Sequence, residues 1–141
     1  MEAANHPQPL FVPMLYLNDL SAAINFYKKA FGAVEEWRIK NPDGTTHVAE
    51  LSISSALFRM HEVTSDREAS PSSLKTTTVE IDLLVGDPDA LATRAVKAGA
   101  TLVSPVKDFE YGFRQGTLKD PFGHKWCLEK YDGSTKVPLM P

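Results

Sequence analysis

An α+β fold made of two βαβββ modules is predicted by three features of this 141-residue sequence. Strand-like and helix-like segments follow one another as strand, helix and three strands, and then the same order begins again. The two helical segments share their punctuation, an acid before the first turn (Asp19, Asp87) and a glycine after the last (Gly32, Gly99). A polar, serine-rich stretch, "TSDREASPSSLK", divides the two runs. The expected bounds are module one over 9–63, a flexible linker over 64–75 and module two over 76–132, with loose tails at 1–8 and 133–141. A module of this size leaves one apolar sheet face uncovered, so it must pack against its twin or a second chain.

Each element has a local reason. "LFVPMLYL", Leu10 to Leu17, reads as a strand that Pro13 confines to an edge or bends. In "NDLSAAINFYKKAFGA", Asn18 or Asp19 caps a helix whose Leu20, Ala23, Ile24, Tyr27 and Phe31 fall on one face before Gly32 stops it. "AVEEWRIK", "THVAELSIS" and "ALFRMHEV" are strands, the first two joined by the strong turn Asn41-Pro42-Asp43-Gly44. After the linker, "TTTVEIDLLV" is a strand. "GDPDALATRAVKAGA" is a helix capped by Asp87, with Pro88 at its first position and Leu91, Ala92, Ala95 and Val96 buried. "ATLVSPVKDF", "FRQGTLK" and "KWCLEKY" complete the second module, with "DPFG" turning between the last two.

Composition narrows the function classes. Hydrophobic residues form 43% and charged residues 23% of the chain, as in ordinary globular proteins. The net charge of -3, without a basic stripe, argues against a nucleic-acid partner. One cysteine excludes an intrachain disulfide and any multi-cysteine zinc site. There is no signal-like start and no run of about 20 apolar residues, so no membrane partner and a cytoplasmic location are expected.

Strand alternation sorts the side chains. If Leu15 and Leu17 face the first helix, Val12, Met14 and Tyr16 point away from it. Ala49, Leu51 and Ile53 oppose Val48, Glu50 and Ser52, and Phe58 and Met60 oppose Arg59 and His61. In the second module, Val79, Ile81, Leu83 and Val85 face the helix, so Glu80 and Asp82 do not. Trp126 and Leu128 pack inward, and Cys127 and Glu129 lie opposite. His124 is read as a turn residue, His47 as an exposed strand-start residue, and His6 as part of the loose tail.

The combination of "INFYKKAFGA" with "DPFGHKW" resembles the vicinal oxygen chelate superfamily, which includes glyoxalase I, extradiol dioxygenases, and fosfomycin- and bleomycin-resistance proteins. Within it the chain looks most like the glyoxalase/bleomycin-resistance or demethylubiquinone methyltransferase-like branch, from about Leu10 to Tyr131. The resemblance implies paired modules whose curled mixed sheets surround a cavity, often completed by a homodimer. It implies no single reaction. On this reading Tyr16, Glu50, Arg59, His61, Glu80, Asp82, Cys127 and Glu129 are the candidate ligand-binding residues.

Metal-using members of that superfamily carry a ligand early and late in each module. By position these fall here near Val12, Arg59, Glu80 and Cys127. Valine cannot ligate and arginine repels a cation, so the usual metal site is expected to be absent and no cofactor is assigned. A displaced divalent-metal site would use His61, Asp82 and Glu129. Two functions follow. One is a homodimer binding a small organic molecule, aromatic or cationic, against Tyr16, Trp37 and Phe113 without the usual metal. The alternative is a divalent-metal lyase, isomerase or dioxygenase with Glu50 as its proton-transfer base.

Overall fold

The computed structural model describes residues 8–131 and 133. The first half runs β1 (Met14–Leu17), α1 (Leu20–Phe31), β2 (Val34–Lys40), β3 (Thr46–Ile53) and β4 (Ala56–Glu62). A short helix α2 (Pro71–Leu74) follows. The second half runs β5 (Glu80–Leu84), α3 (Pro88–Ala98), β6 (Thr101–Asp108), β7 (Phe113–Lys119) and β8 (Lys125–Tyr131). This is the α+β repeat the sequence predicts; the tail residues 1–7 and 134–141 lie outside the described residues.

The two halves match in detail. Their sheets are ordered β1-β4-β3-β2 and β5-β8-β7-β6. In each, the first strand runs parallel to the last and the other pairs are antiparallel. Asp19 and Asp87 cap their helices by accepting from Ala22 N and Ala90 N, each at 3.0 Å. Gly32 adopts φ 68°, a left-handed conformation a side chain would strain. Both outer strands carry bulges, at Glu35/Trp37 in β2 and between Leu102 and Lys107 in β6, and such insertions curl a sheet.

Both helix-covered faces belong to one core. Leu17, Leu51 and Met60 from the first sheet and Leu118, Trp126 and Leu128 from the second are buried together with Ile24 and Tyr27 of α1. Trp126 is the junction, with ring centroids 4.9 Å from Phe31, 5.6 Å from Tyr27 and 5.6 Å from Phe58. Aromatic pairs of this geometry contribute about 0.5–1.5 kcal/mol each beyond their buried area. Because Phe58 and Trp126 stand on the helix sides of different sheets and touch, those sides converge. The opposite, charged faces therefore open away from each other within one chain.

Asp120 locks this junction. Its Oδ2 accepts from Tyr27 OH and from Trp126 Nε1 at 3.0 Å, and its Oδ1 accepts from Phe122 N at 2.9 Å and His124 N at 3.0 Å. The turn of "DPFGHKW" thus binds the first helix to the last strand. Burial of Tyr27 and its place beside Asp120 push the phenol well above its usual pKa.

Four local expectations change. Strand β1 begins only at Met14, so Val12 precedes it. Val79 and Val96 are exposed rather than helix-packed; Val96 instead lines a cleft with Leu102 and Val106. The linker is anchored: Ser70 is buried, caps α2 and accepts from Asn18 Nδ2 at 3.0 Å. A Cβ on Gly123, already at φ +92°, would stand 2.9 Å from Pro71 Cβ, so the linker and the "DPFG" turn are fitted together. Its serines are spaced to cap and bridge rather than merely to solvate, which composition alone does not reveal.

Replacing Asp120 with Ala is expected to cost about 3 kcal/mol or more, since it strands the buried Tyr27 hydroxyl and Trp126 indole N–H. Urea unfolding followed by tryptophan fluorescence measures this; an unchanged midpoint would contradict the role assigned to Asp120.

Candidate functional site

On the first sheet, register sets the open face. Met14, Arg59, Glu50 and Trp37 form one row across β1, β4, β3 and β2, and Tyr16, His61, Val48 and Ile39 form the next. Arg59 Nε donates to Glu50 Oε1 at 2.8 Å, and its guanidinium lies 5.6 Å from the Trp37 ring centroid. Both contacts fix the guanidinium plane while Glu50, only 9% exposed, has its charge matched. Ser52 Oγ donates to Glu36 Oε2 at 2.6 Å beside them. His61 stacks obliquely 5.5 Å from Tyr16 and 4.6 Å from His47, and its Nδ1 donates to the Glu62 carbonyl at 2.7 Å. His47 is half-buried rather than exposed. Its Nδ1 stands 3.5 Å from Glu62 Oε2 without a hydrogen bond.

On the second sheet, the row Asp82, Cys127 and Thr117 is flanked by Glu80, Lys125 and Lys119 on one side and Leu84, Glu129 and Gln115 on the other. Ligand atoms of Glu80, Asp82 and Cys127 all lie within 4.8 Å of one another. Cys127 Sγ–H donates to Glu129 Oε1 at 3.6 Å. Cys127 is on the open face as alternation predicts, yet it is buried. Tyr111, in the β6–β7 turn, shares its field: burial and the Cys127 and Glu129 groups raise the phenol pKa.

This group is crowded with negative charge. The hydrogen bond with Asp82, then burial, then the charges of Asp82 and Glu129 raise the Glu80 pKa, and Lys125 opposes them. Burial and then Asp82 raise that of Glu129. Burial followed by the Glu129, Asp82 and Glu80 charges pushes the Cys127 thiol up to about 12.

The predicted site residues therefore fall into two sets. Tyr16, Glu50, Arg59 and His61 share the first sheet; Glu80, Asp82, Cys127 and Glu129 share the second. Within one chain His61 is not brought to Asp82 and Glu129, because it stands on the other sheet. Of the four positions that the resemblance implies for metal ligands, Val12 and Arg59 have no free electron pair to give. Glu80 and Cys127 remain, joined by Asp82, as a mixed set of hard carboxylates and a soft thiol whose proton is held tightly. His124 is a turn residue that also ties the two halves, since its Nε2 donates to the Tyr16 carbonyl at 3.1 Å. Tyr111 is not among the residues the sequence singles out; the aromatic spacing "FEYGF" before a strand is its only sequence signal.

Two curled, helix-backed sheets, each with one open face, make up a two-module scaffold. Residues 14–129 match the glyoxalase-like domain family, and the chain belongs to it. It is 40% identical over 125 residues to the uncharacterized protein Mb0911c of Mycobacterium bovis, covering 86% of this chain and 82% of that one. The crystal structure of TioX from Micromonospora sp. ML1 superposes with a TM-score of 0.70 at 23% identity, covering 88% of this chain and 99% of the other. The fosfomycin resistance protein FosX from Listeria monocytogenes, complexed with Mn(II) and sulfate, superposes at 0.65 with 18% identity, covering 88% and 90%. These structures share the chain's fold, and the family match agrees with the resemblance that the sequence motifs carry.

Two outcomes are expected from the charges. A carboxyl whose folded pKa is raised supports the fold below its ordinary value of 4.5 and loses that contribution as pH rises through the folded value. Glu129→Gln is accordingly more stable relative to wild type at pH 7 than at pH 4.5 in urea unfolding; an equal difference at both would contradict the crowding. At pH 8 the Cys127 thiolate fraction is about a thousandfold below that of a thiol at its ordinary value of 9.0, so alkylation by iodoacetamide is slow until the chain unfolds. Rapid labelling of the native chain would contradict it.

Proposed function

We propose that the chain binds a small organic molecule in a cavity formed between two copies, where the open face of one first sheet meets that of the other copy's second sheet. The observation that carries this reading is the convergence of the helix-covered sides on Trp126, which leaves both functional faces outward in a single chain. Each face is half a binding site. Trp37 and Tyr16 on one and Tyr111 on the other supply aromatic walls, and His61 and Glu50 supply orienting polar groups. Pockets of this kind, mostly apolar with a few convergent polar side chains, suit small-molecule recognition. The exposed Met14, Trp37 and Ile39, and Leu84 and Tyr111, give the two faces apolar area to bury on association.

The family's usual four-ligand metal site is not part of this reading. A second reading is favoured by one observation, the proximity of Glu80, Asp82 and Cys127. In it these residues hold a divalent ion, as FosX from Listeria monocytogenes holds Mn(II), and the protein is a lyase, isomerase or dioxygenase. Elemental analysis of purified protein and the shift in melting temperature with added metal separate the two.

Isothermal calorimetry with planar aromatic drugs and cationic glycopeptides, on protein shown by sedimentation to be dimeric, tests the binding reading. Saturable heat is expected with at least one, weakened about tenfold or more in Trp37→Ala without loss of melting temperature. No heat from any compound, with the dimer intact, would count against it.

A further inference from the structure

The second sheet concentrates Glu80, Asp82 and Glu129 around Cys127, with Lys125 and Lys119 in the flanking row and the Lys125 charge acting on Glu80. On the first sheet the central charge is a cation. Arg59 is held at the centre of its open face by Glu50 through Nε and by the Trp37 ring, and its side chain remains 42% exposed. Among the described residues its two terminal amino groups have no acceptor, so two or more donors of a rigid fork are free. On the same face Glu50 Oε1 accepts from Arg59 and Glu36 Oε2 accepts from Ser52.

We propose that the open first sheet of one copy docks on the open second sheet of another, and that Arg59 of the partner subunit inserts its free guanidinium amino groups among Glu80, Asp82 and Glu129. The inference rests on the reading that two copies build the cavity, and it names the contact that fixes their register. A carboxylate cluster and a pre-oriented fork with unused donors are complementary in charge and in geometry. The excess of carboxylates is then satisfied by protein, and the ligand needs no positive charge of its own.

The test is a double-mutant cycle on the dimer dissociation constant, measured by sedimentation equilibrium for wild type, Arg59→Met, Asp82→Asn and the double variant. Each single substitution is expected to weaken the dimer about tenfold or more, and the double variant to be little weaker than the worse single one. Melting temperatures verify that each variant is folded. Arg59→Met is also expected to bind manganese chloride more tightly than wild type by electron paramagnetic resonance titration, because the resident cation is gone. A dimer in which the two effects add, or equal manganese affinity in both proteins, overturns the Arg59 contact and leaves the shared cavity standing. A wild-type chain that stays monomeric at all concentrations overturns both.

Discussion

The buried carboxylate of Asp120 is the constraint on which the architecture turns. It joins a helix of the first half, a strand of the second and the turn between the last two strands. Each of those groups would otherwise be a buried donor without a partner, so the node makes the relative placement of the halves a matter of hydrogen-bond satisfaction as well as of packing. Trp126 and Phe58 then meet, and the helix-covered sides close on one another. The candidate site residues are displaced to the outer faces as a result.

That displacement explains the chemistry seen on each face. The first face is composed: its cation is matched by Glu50 and stacked on Trp37, and its second carboxylate is bonded to Ser52. The second face is strained, with three carboxylates and a thiol in mutual proximity and the proton affinities of Glu80, Glu129 and Cys127 raised. Natural proteins rarely leave like charges clustered on a half-buried surface without a compensating group. In the proposed dimer a second chain supplies one.

Much of this is legible in the sequence because it depends on local rules. Asp19, Asp87, Gly32 and Gly99 read as helix ends and are helix ends. Strand parity puts Arg59 with Glu50 and Glu80 with Asp82 and Cys127 on common faces, since alternation is fixed by backbone geometry. What parity cannot give is where one face points relative to another. That depends on side chains distant in sequence, such as Tyr27 reaching Asp120 or His124 reaching Tyr16. The anchoring of the linker is hidden for the same reason: Ser70 and Pro71 are held by Asn18 and the turn at Gly123, neither of them a sequence neighbour. Val96 satisfies the helical period yet faces a cleft, because period places a residue on a stripe and not under a partner.

In the proposed dimer the two open faces, which diverge within a chain, meet between chains. Spin labels report this directly. In a Cys127→Ser background, one preparation carries Ile39→Cys on the first open face and another Lys119→Cys on the second, and the two labelled proteins are mixed. Pulsed dipolar spectroscopy is predicted to give a short label-to-label distance in the mixture, lost on dilution with unlabelled protein. A short distance found only when both labels are on the same chain would contradict the account.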